Sequence, residues 1–137
     1  MEITLTNDMR RQLIQLAQQV RDKAYAPYSN YRVGAALLTV SGRFFTGCNV
    51  ENAAYPTGIC AERVAVFKAV SEGERQFNAI AVVTSNGGTP CGSCRQVLAE
   101  FGLETVVLIA DAEGKLCQEC RLSELLPGAF GPGDLGK

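Results

Sequence analysis

CAERVAVFKAVSEGERQFNAIAVVTSNGGTPCGSCRQVLAEFGLETVVLIA, residues 60–110, alternates two helical patterns with two apolar runs of strand length. Cys60 to about Ser71 reads as a helix that stops at Gly73, and Cys91 to Phe101 as a second that ends at Gly102. Ala79 to Thr84 and Thr105 to Ala110 are near-continuous apolar runs. Runs of that kind belong to strands buried on both faces, so helices must cover the sheet on each side. Asn86-Gly87-Gly88 supplies the loop between the middle pair.

Outward from this stretch, Asn7 to Ala24 is an amphipathic helix. Met9, Leu13, Leu16, Ala17, Val20 and Ala24 fall on one stripe, and Thr6 or Asn7 can cap the start. Pro27 and Ser29-Asn30 break it. Val33–Val40 and Phe44–Val50 form a hairpin through Ser41-Gly42. Residues 51–59 are a loop punctuated by Pro56 and Gly58. Beyond Ala110 come a turn at Glu113-Gly114, a short last strand, and a brief helix at Ser123–Leu126 before Pro127-Gly128. The order is α, β-hairpin, α, β, α, β and a tail, which predicts an α/β sandwich around one mixed sheet and not a zinc ribbon. No repeat, low-complexity tract or linker divides the 137 residues, so one domain spanning 1–137 is expected.

An apolar content of 47% is enough for a real core at this length. A net charge of -1 without any basic run excludes the cationic stripe that nucleic acid binding needs, and favours a small ligand. No apolar run approaches the roughly 20 residues of a membrane span. Met1-Glu2-Ile3-Thr4-Leu5 lacks the basic start and apolar stretch of a secretory leader. The expected location is the cytoplasm, where thiols stay reduced. The six cysteines are then metal ligands, core thiols or redox groups before they are disulfides.

The chain contains no histidine, so a zinc site must be built from thiolates and a proton shuttle from a carboxylate. Cys91 and Cys94 lie three apart at a helix start and share one face, with Pro90 where a first-turn proline is tolerated. Cys60 opens the other helix. Three cysteines leave the fourth position of a tetrahedral Zn²⁺ open to water. Two converging helix N-termini lower the thiolate pKa values. Glu62, two residues from Cys60, points away from that ligand in a regular helix and is free to handle the water's proton. This is the zinc-deaminase pattern in an all-cysteine form. Three thiolates outweigh a divalent ion, and Arg63 and Arg95 are expected to donate to the sulfurs and offset the surplus charge. Cys91-x-x-Cys94 taken alone also fits a redox pair, though no thioredoxin-like strand precedes it. A closed structural zinc site with Cys117 or Cys120 as fourth ligand would leave Glu62 without a role.

The residues resemble the cytidine deaminases that act on free nucleosides, over nearly the whole chain. The likeness is carried by Pro27-Tyr28-Ser29-Asn30-Tyr31 with Val33–Leu38, by Gly47-Cys48-Asn49-Val50-Glu51-Asn52-Ala53-Ala54-Tyr55-Pro56, and by Gly58-Ile59-Cys60-Ala61-Glu62-Arg63. Leu125-Leu126-Pro127 with Phe130-Gly131-Pro132 resembles the family's tail. The resemblance implies a three-layer α/β/α sandwich with a central mixed five-stranded sheet. It also implies one Zn²⁺ per subunit and hydrolytic deamination of cytidine and 2′-deoxycytidine to the uridine products with release of ammonia, a pyrimidine-salvage reaction. Asn49 and Glu51 then bind the ribose hydroxyls, and two residues on one side of a strand end suit that grip. Tyr31 stands where the family usually has a phenylalanine stacked on the pyrimidine, and its hydroxyl needs a partner. The Ala61 N–H is similar in position to one that bonds the base carbonyl. Phe130 resembles an aromatic that enters a neighbour's site in a homotetramer with shared active sites, and Tyr55 is expected to contribute in the same way.

Cys117 and Cys120 match nothing the family requires. Three apart on a strand they point to opposite faces, and they read as ordinary core or surface thiols. Cys48 reads as a buried small residue. Three rival functions remain: deamination of another aminopyrimidine, polynucleotide editing, and a zinc-stabilised binding module without catalysis. The ribose-suited pair opposes the first and the charge opposes the second. The third is separable only by metal and activity measurement.

Overall fold

The computed structural model describes residues 4–137, so the start of the segment read above for a leader lies outside the described residues. Its helices are α1 (Asn7–Arg21), α2 (Ala61–Ser71), α3 (Gly92–Phe101) and α4 (Leu122–Leu125). Its strands are β1 (Gly34–Thr39), β2 (Phe44–Cys48), β3 (Phe77–Val83), β4 (Val106–Ala110) and β5 (Leu116–Arg121). Single 3₁₀ turns occupy Tyr55–Thr57 and Pro132–Leu135, where the sequence reads as loop and tail.

Thr6 is the cap of α1: its hydroxyl accepts the Met9 N–H at 3.1 Å, while Asn7 is already helical. The helix stops at Arg21, short of the expected Ala24, because the chain is drawn into a bridge. Tyr25 donates its N–H to the Asn49 carbonyl and accepts the Glu51 N–H. Pro90 also departs from expectation. Cys91 caps α3, so the proline lies outside the helix and its carbonyl accepts from Arg95.

One mixed sheet runs in the order β2-β1-β3-β4-β5. Only β3 and β4 are parallel, and α3 is their crossover. The period of two sorts the strand residues into two buried layers. Ala36, Leu38, Ala81 and Leu108 pack with Leu13, Ile14 and Ala17 of α1. Leu37, Ile80, Val82 and Ile109 pack with Ala65 and Val66 of α2 and Leu98 of α3. This is the expected three-layer sandwich. Every residue of β1 and β4 is buried, and each fully buried Leu or Ile stabilises the fold by about 1.5–3 kcal/mol. β5 is the exposed edge, with Cys120 buried and Cys117 exposed at a shift in its register with β4. Cys48 is half-buried rather than buried.

Two features position the site. At Gly47 a Cβ would stand 2.5 Å from the Ala61 carbonyl oxygen and 2.6 Å from the Ala65 nitrogen, so only glycine lets the first turn of α2 lie on β2. The β3–α3 connection leaves the carboxyl end of β3 and delivers the N-terminus of α3 beside that of α2. Crevices at strand carboxyl ends are where open α/β sheets bind ligands.

Candidate active site

Cys60 caps α2, Cys91 caps α3, and Cys94 lies in the first turn of α3. Their sulfurs are mutually within 4.8 Å, with Cys60–Cys91 at 3.9 Å and Cys91–Cys94 at 3.5 Å. Tetrahedral Zn–S bonds of about 2.3 Å place sulfurs about 3.8 Å apart, so the triad fits zinc without rearrangement. Among the described residues this is the one cluster of three or more metal-ligating groups, and it includes neither Cys117 nor Cys120. All six cysteines are free thiols. Arg63 Nη2 donates to Cys60 Sγ at 3.4 Å, as expected, and its buried Nε has no protein acceptor. That leaves a positive donor for a group held at the triad.

The thiols already share charge. A hydrogen bond from Cys94, aided by Arg63, lowers the Cys60 pKa; the same bond and burial raise that of Cys94. The bond thus favours negative charge on Cys60 over Cys94. Glu62 is 4% exposed, and burial, with the negative Cys60 beside it, pushes its carboxyl up to about 7. A carboxyl poised near neutrality is suited to both accept and return a proton.

These groups form one end of a cleft of about 620 Å³, within the range of small-molecule sites. Tyr31, Asn49, Glu51, Tyr55, Ala61 and Glu62 all line it. Asn49 and Glu51 follow the end of β2 and hold the opposite wall together. The Asn49 carboxamide accepts the Val33 N–H at 2.8 Å and donates to the Tyr31 carbonyl at 2.9 Å. Glu51 Oε1 accepts the N–H groups of Tyr28 and Ser29 at 2.9 and 3.1 Å, and Oε2 accepts the Ser29 hydroxyl. That hydroxyl, foremost, lowers the Glu51 pKa and keeps the carboxylate ionised. Tyr31 finds the partner its hydroxyl requires, donating to Asn86 Oδ1 at 2.7 Å.

One expected residue stands elsewhere. Arg95 makes no donation to sulfur. Its Nε bonds the Pro90 carbonyl at 2.7 Å, Nη1 the Leu125 carbonyl at 2.7 Å, and Nη2 Thr89 Oγ1 at 2.9 Å. One residue beyond Cys94 on a helix, it is rotated about 100° from the ligand and meets oxygens instead. Phe130, expected at a neighbouring subunit's site, does not line the cleft of its own chain; its ring is exposed and its carbonyl accepts from Gln96 at 2.9 Å. Ser29, Thr84 and Thr89 do line it and were not singled out, because small polar residues in loops carry no periodic signal.

Known proteins agree with this geometry. Residues 7–110 match the cytidine and deoxycytidylate deaminase zinc-binding region. Cytidine deaminase of Halalkalibacterium halodurans is 50% identical over 129 residues, covering 92% of this chain and 97% of that protein. Cytidine deaminase of Sporosarcina psychrophila is 48% identical over 126 residues, covering 90% and 92%. The crystal structure of cytidine deaminase from Burkholderia pseudomallei superposes with a TM-score of 0.83 at 47% identity, covering 91% of this chain and 99% of that one. The likeness thus holds over most of the chain in sequence and in three dimensions, and the chain belongs to the cytidine and deoxycytidylate deaminase zinc-binding family.

Proposed function

We propose that the chain, as one catalytic domain over residues 1–137, hydrolyses cytidine and 2′-deoxycytidine to uridine and 2′-deoxyuridine with release of ammonia. The observation that carries the reading is Glu62, buried beside a zinc-spaced thiol triad at the end of a nucleoside-sized cleft. Cys60, Cys91 and Cys94 would hold one Zn²⁺ per chain, which supplies a Lewis acid that acidifies a water. Glu62 takes a proton from the attacking water and gives it to ring N3. It takes the second from the resulting hydroxyl and gives it to the departing amino group. A C4–O bond forms and the C4–N bond breaks, so the atoms balance as water in and ammonia out. Arg63 draws charge from Cys60, and the Ala61 N–H at the helix start would donate to the base carbonyl. Glu51 and Asn49 retain acceptor and donor capacity for ribose hydroxyls beyond the bonds they already make. Tyr31 offers its ring face to the pyrimidine.

The remaining parts of the reading concern assembly and setting. A homotetramer would bring Phe130, and Tyr55 at 74% exposure, against neighbouring clefts. A pyrimidine-salvage role in the cytoplasm fits a free nucleoside substrate and the lack of a cationic stripe for nucleic acid. No helix among the described residues is long and apolar enough to cross a membrane. Metal analysis combined with a spectroscopic assay of cytidine loss tests the function. One zinc per chain with turnover is expected; full zinc without cytidine loss overturns the proposal.

A further inference from the structure

Tyr31 lines the cleft, and Asn86, 55 residues away on the loop between β3 and α3, is joined to it by hydrogen bonds that run on to Thr84 and Gly88. The Gly88 N–H donates to Thr84 Oγ1 at 2.8 Å, Thr84 donates to Asn86 Oδ1 at 3.3 Å, and the Tyr31 hydroxyl donates to the same oxygen at 2.7 Å. Thr84 Oγ1 accepts one bond and donates another, and Asn86 Oδ1 accepts two, so no donor faces a donor. Thr84 follows β3 directly, and this loop runs on through Thr89 and Pro90 into Cys91. The Tyr31 side is fixed as firmly: its carbonyl accepts from Asn49, and its N–H donates to Ser29 Oγ, itself bound to Glu51.

Gly88 is shaped to the same hydroxyl. A Cβ there would lie 2.5 Å from Tyr31 Oη, a distance no side chain tolerates. The next neighbours are Asn86 Oδ1 at 3.4 Å and Thr84 Oγ1 at 3.8 Å, both ordinary contacts. Gly88 does not have a positive φ, so an alanine here is opposed chiefly by the tyrosine oxygen, which would have to shift.

We infer that Tyr31, Asn86 and Gly88 form a strut from the cleft wall to the β3–α3 loop: Asn86 and Gly88 are positioning residues that set the Tyr31 ring relative to the backbone leading into the metal ligand Cys91. The base-facing ring and one arm of the triad are thereby held at a common distance. A phenylalanine at position 31 would lack the hydrogen bond that ties this wall to the loop. The inference rests on the deaminase reading for its substrate, but the strut itself can be tested without it.

The test is a cycle of Tyr31→Phe, Gly88→Ala, their double variant and Asn86→Ala in the zinc-loaded protein, read by Tm, zinc content and cytidine kinetics. Tyr31→Phe and Asn86→Ala should each raise KM about three- to tenfold, the worth of one lost hydrogen bond, with kcat within twofold and one zinc per chain. Gly88→Ala should lower Tm and raise KM more than either. Adding Tyr31→Phe to Gly88→Ala should restore both values to those of Tyr31→Phe alone. A Gly88→Ala loss that is the same in both backgrounds overturns the strut. So does a Tyr31→Phe variant with unchanged KM in an enzyme that turns over cytidine. Wild-type protein inactive on cytidine but showing the Tm rescue sinks the substrate reading and leaves the strut standing.

Discussion

Glu62→Gln should separate catalysis from stability, moving them in opposite directions. The glutamine keeps the size and shape of the side chain but cannot take a proton. General acid–base catalysis contributes about 10²–10⁴-fold, so kcat should fall at least about a hundredfold with zinc retained. Stability should rise. Burial lifts the carboxyl from 4.5 to about 7 in the metal-free protein, and at about 1.4 kcal/mol per pH unit the charged form weakens the fold by about 3 kcal/mol. Because the folded pKa is the higher one, the unfolded chain ionises first as pH rises. The penalty is absent below about pH 4.5, grows between there and about pH 7, and is full above. The zinc-free variant should therefore resist urea better than wild type at pH 8 by up to about 3 kcal/mol, and equally at pH 4. More than a tenth of wild-type kcat would show that Glu62 is not the shuttle. Equal urea midpoints at pH 8 would show that its carboxyl is not held against its charge.

Removing the Arg63 guanidinium by Arg63→Ala should lower turnover roughly tenfold while zinc occupancy changes less, and should shift the pH–rate profile to higher pH. An unchanged profile and rate would make it a packing residue. Glu51→Ala should raise KM for cytidine about ten- to a hundredfold and leave any activity on free cytosine alone; equal loss on both substrates would refute the sugar contact. The same variant should melt earlier, since Tyr28 and Ser29 lose their acceptor. The native protein should sediment as a tetramer, and deleting the residues after Pro127 should raise KM with zinc still bound. Mixing that deletion with Glu62→Gln subunits should restore some activity, whereas a fully active monomer at assay concentration would defeat shared sites.

The reach of the sequence follows the range of the physics. Apolar periodicity, caps and glycine stops act within one or two turns, so the helices and strands of residues 60–110 were legible to within a few residues. The metal triad was legible for a related reason. Cys91 and Cys94 share a face by helical geometry, and the absence of histidine left thiolates as the soft ligands. What periodicity cannot encode is which elements meet. The order β2-β1-β3-β4-β5, with the hairpin's first strand inserted beside β3, comes from burying both sheet faces at once. The early end of α1 at Arg21 comes from pairing Tyr25 with Asn49 and Glu51. Arg95 sits next to a ligand in sequence, yet helix rotation and the approach of Leu125 turn it onto carbonyls. The Tyr31 hydroxyl announced a need for a partner, and only packing 55 residues away supplied Asn86 and the space at Gly88. Local chemistry wrote the thiol triad and its glutamate, whereas long-range burial and hydrogen-bond satisfaction decided what surrounds them.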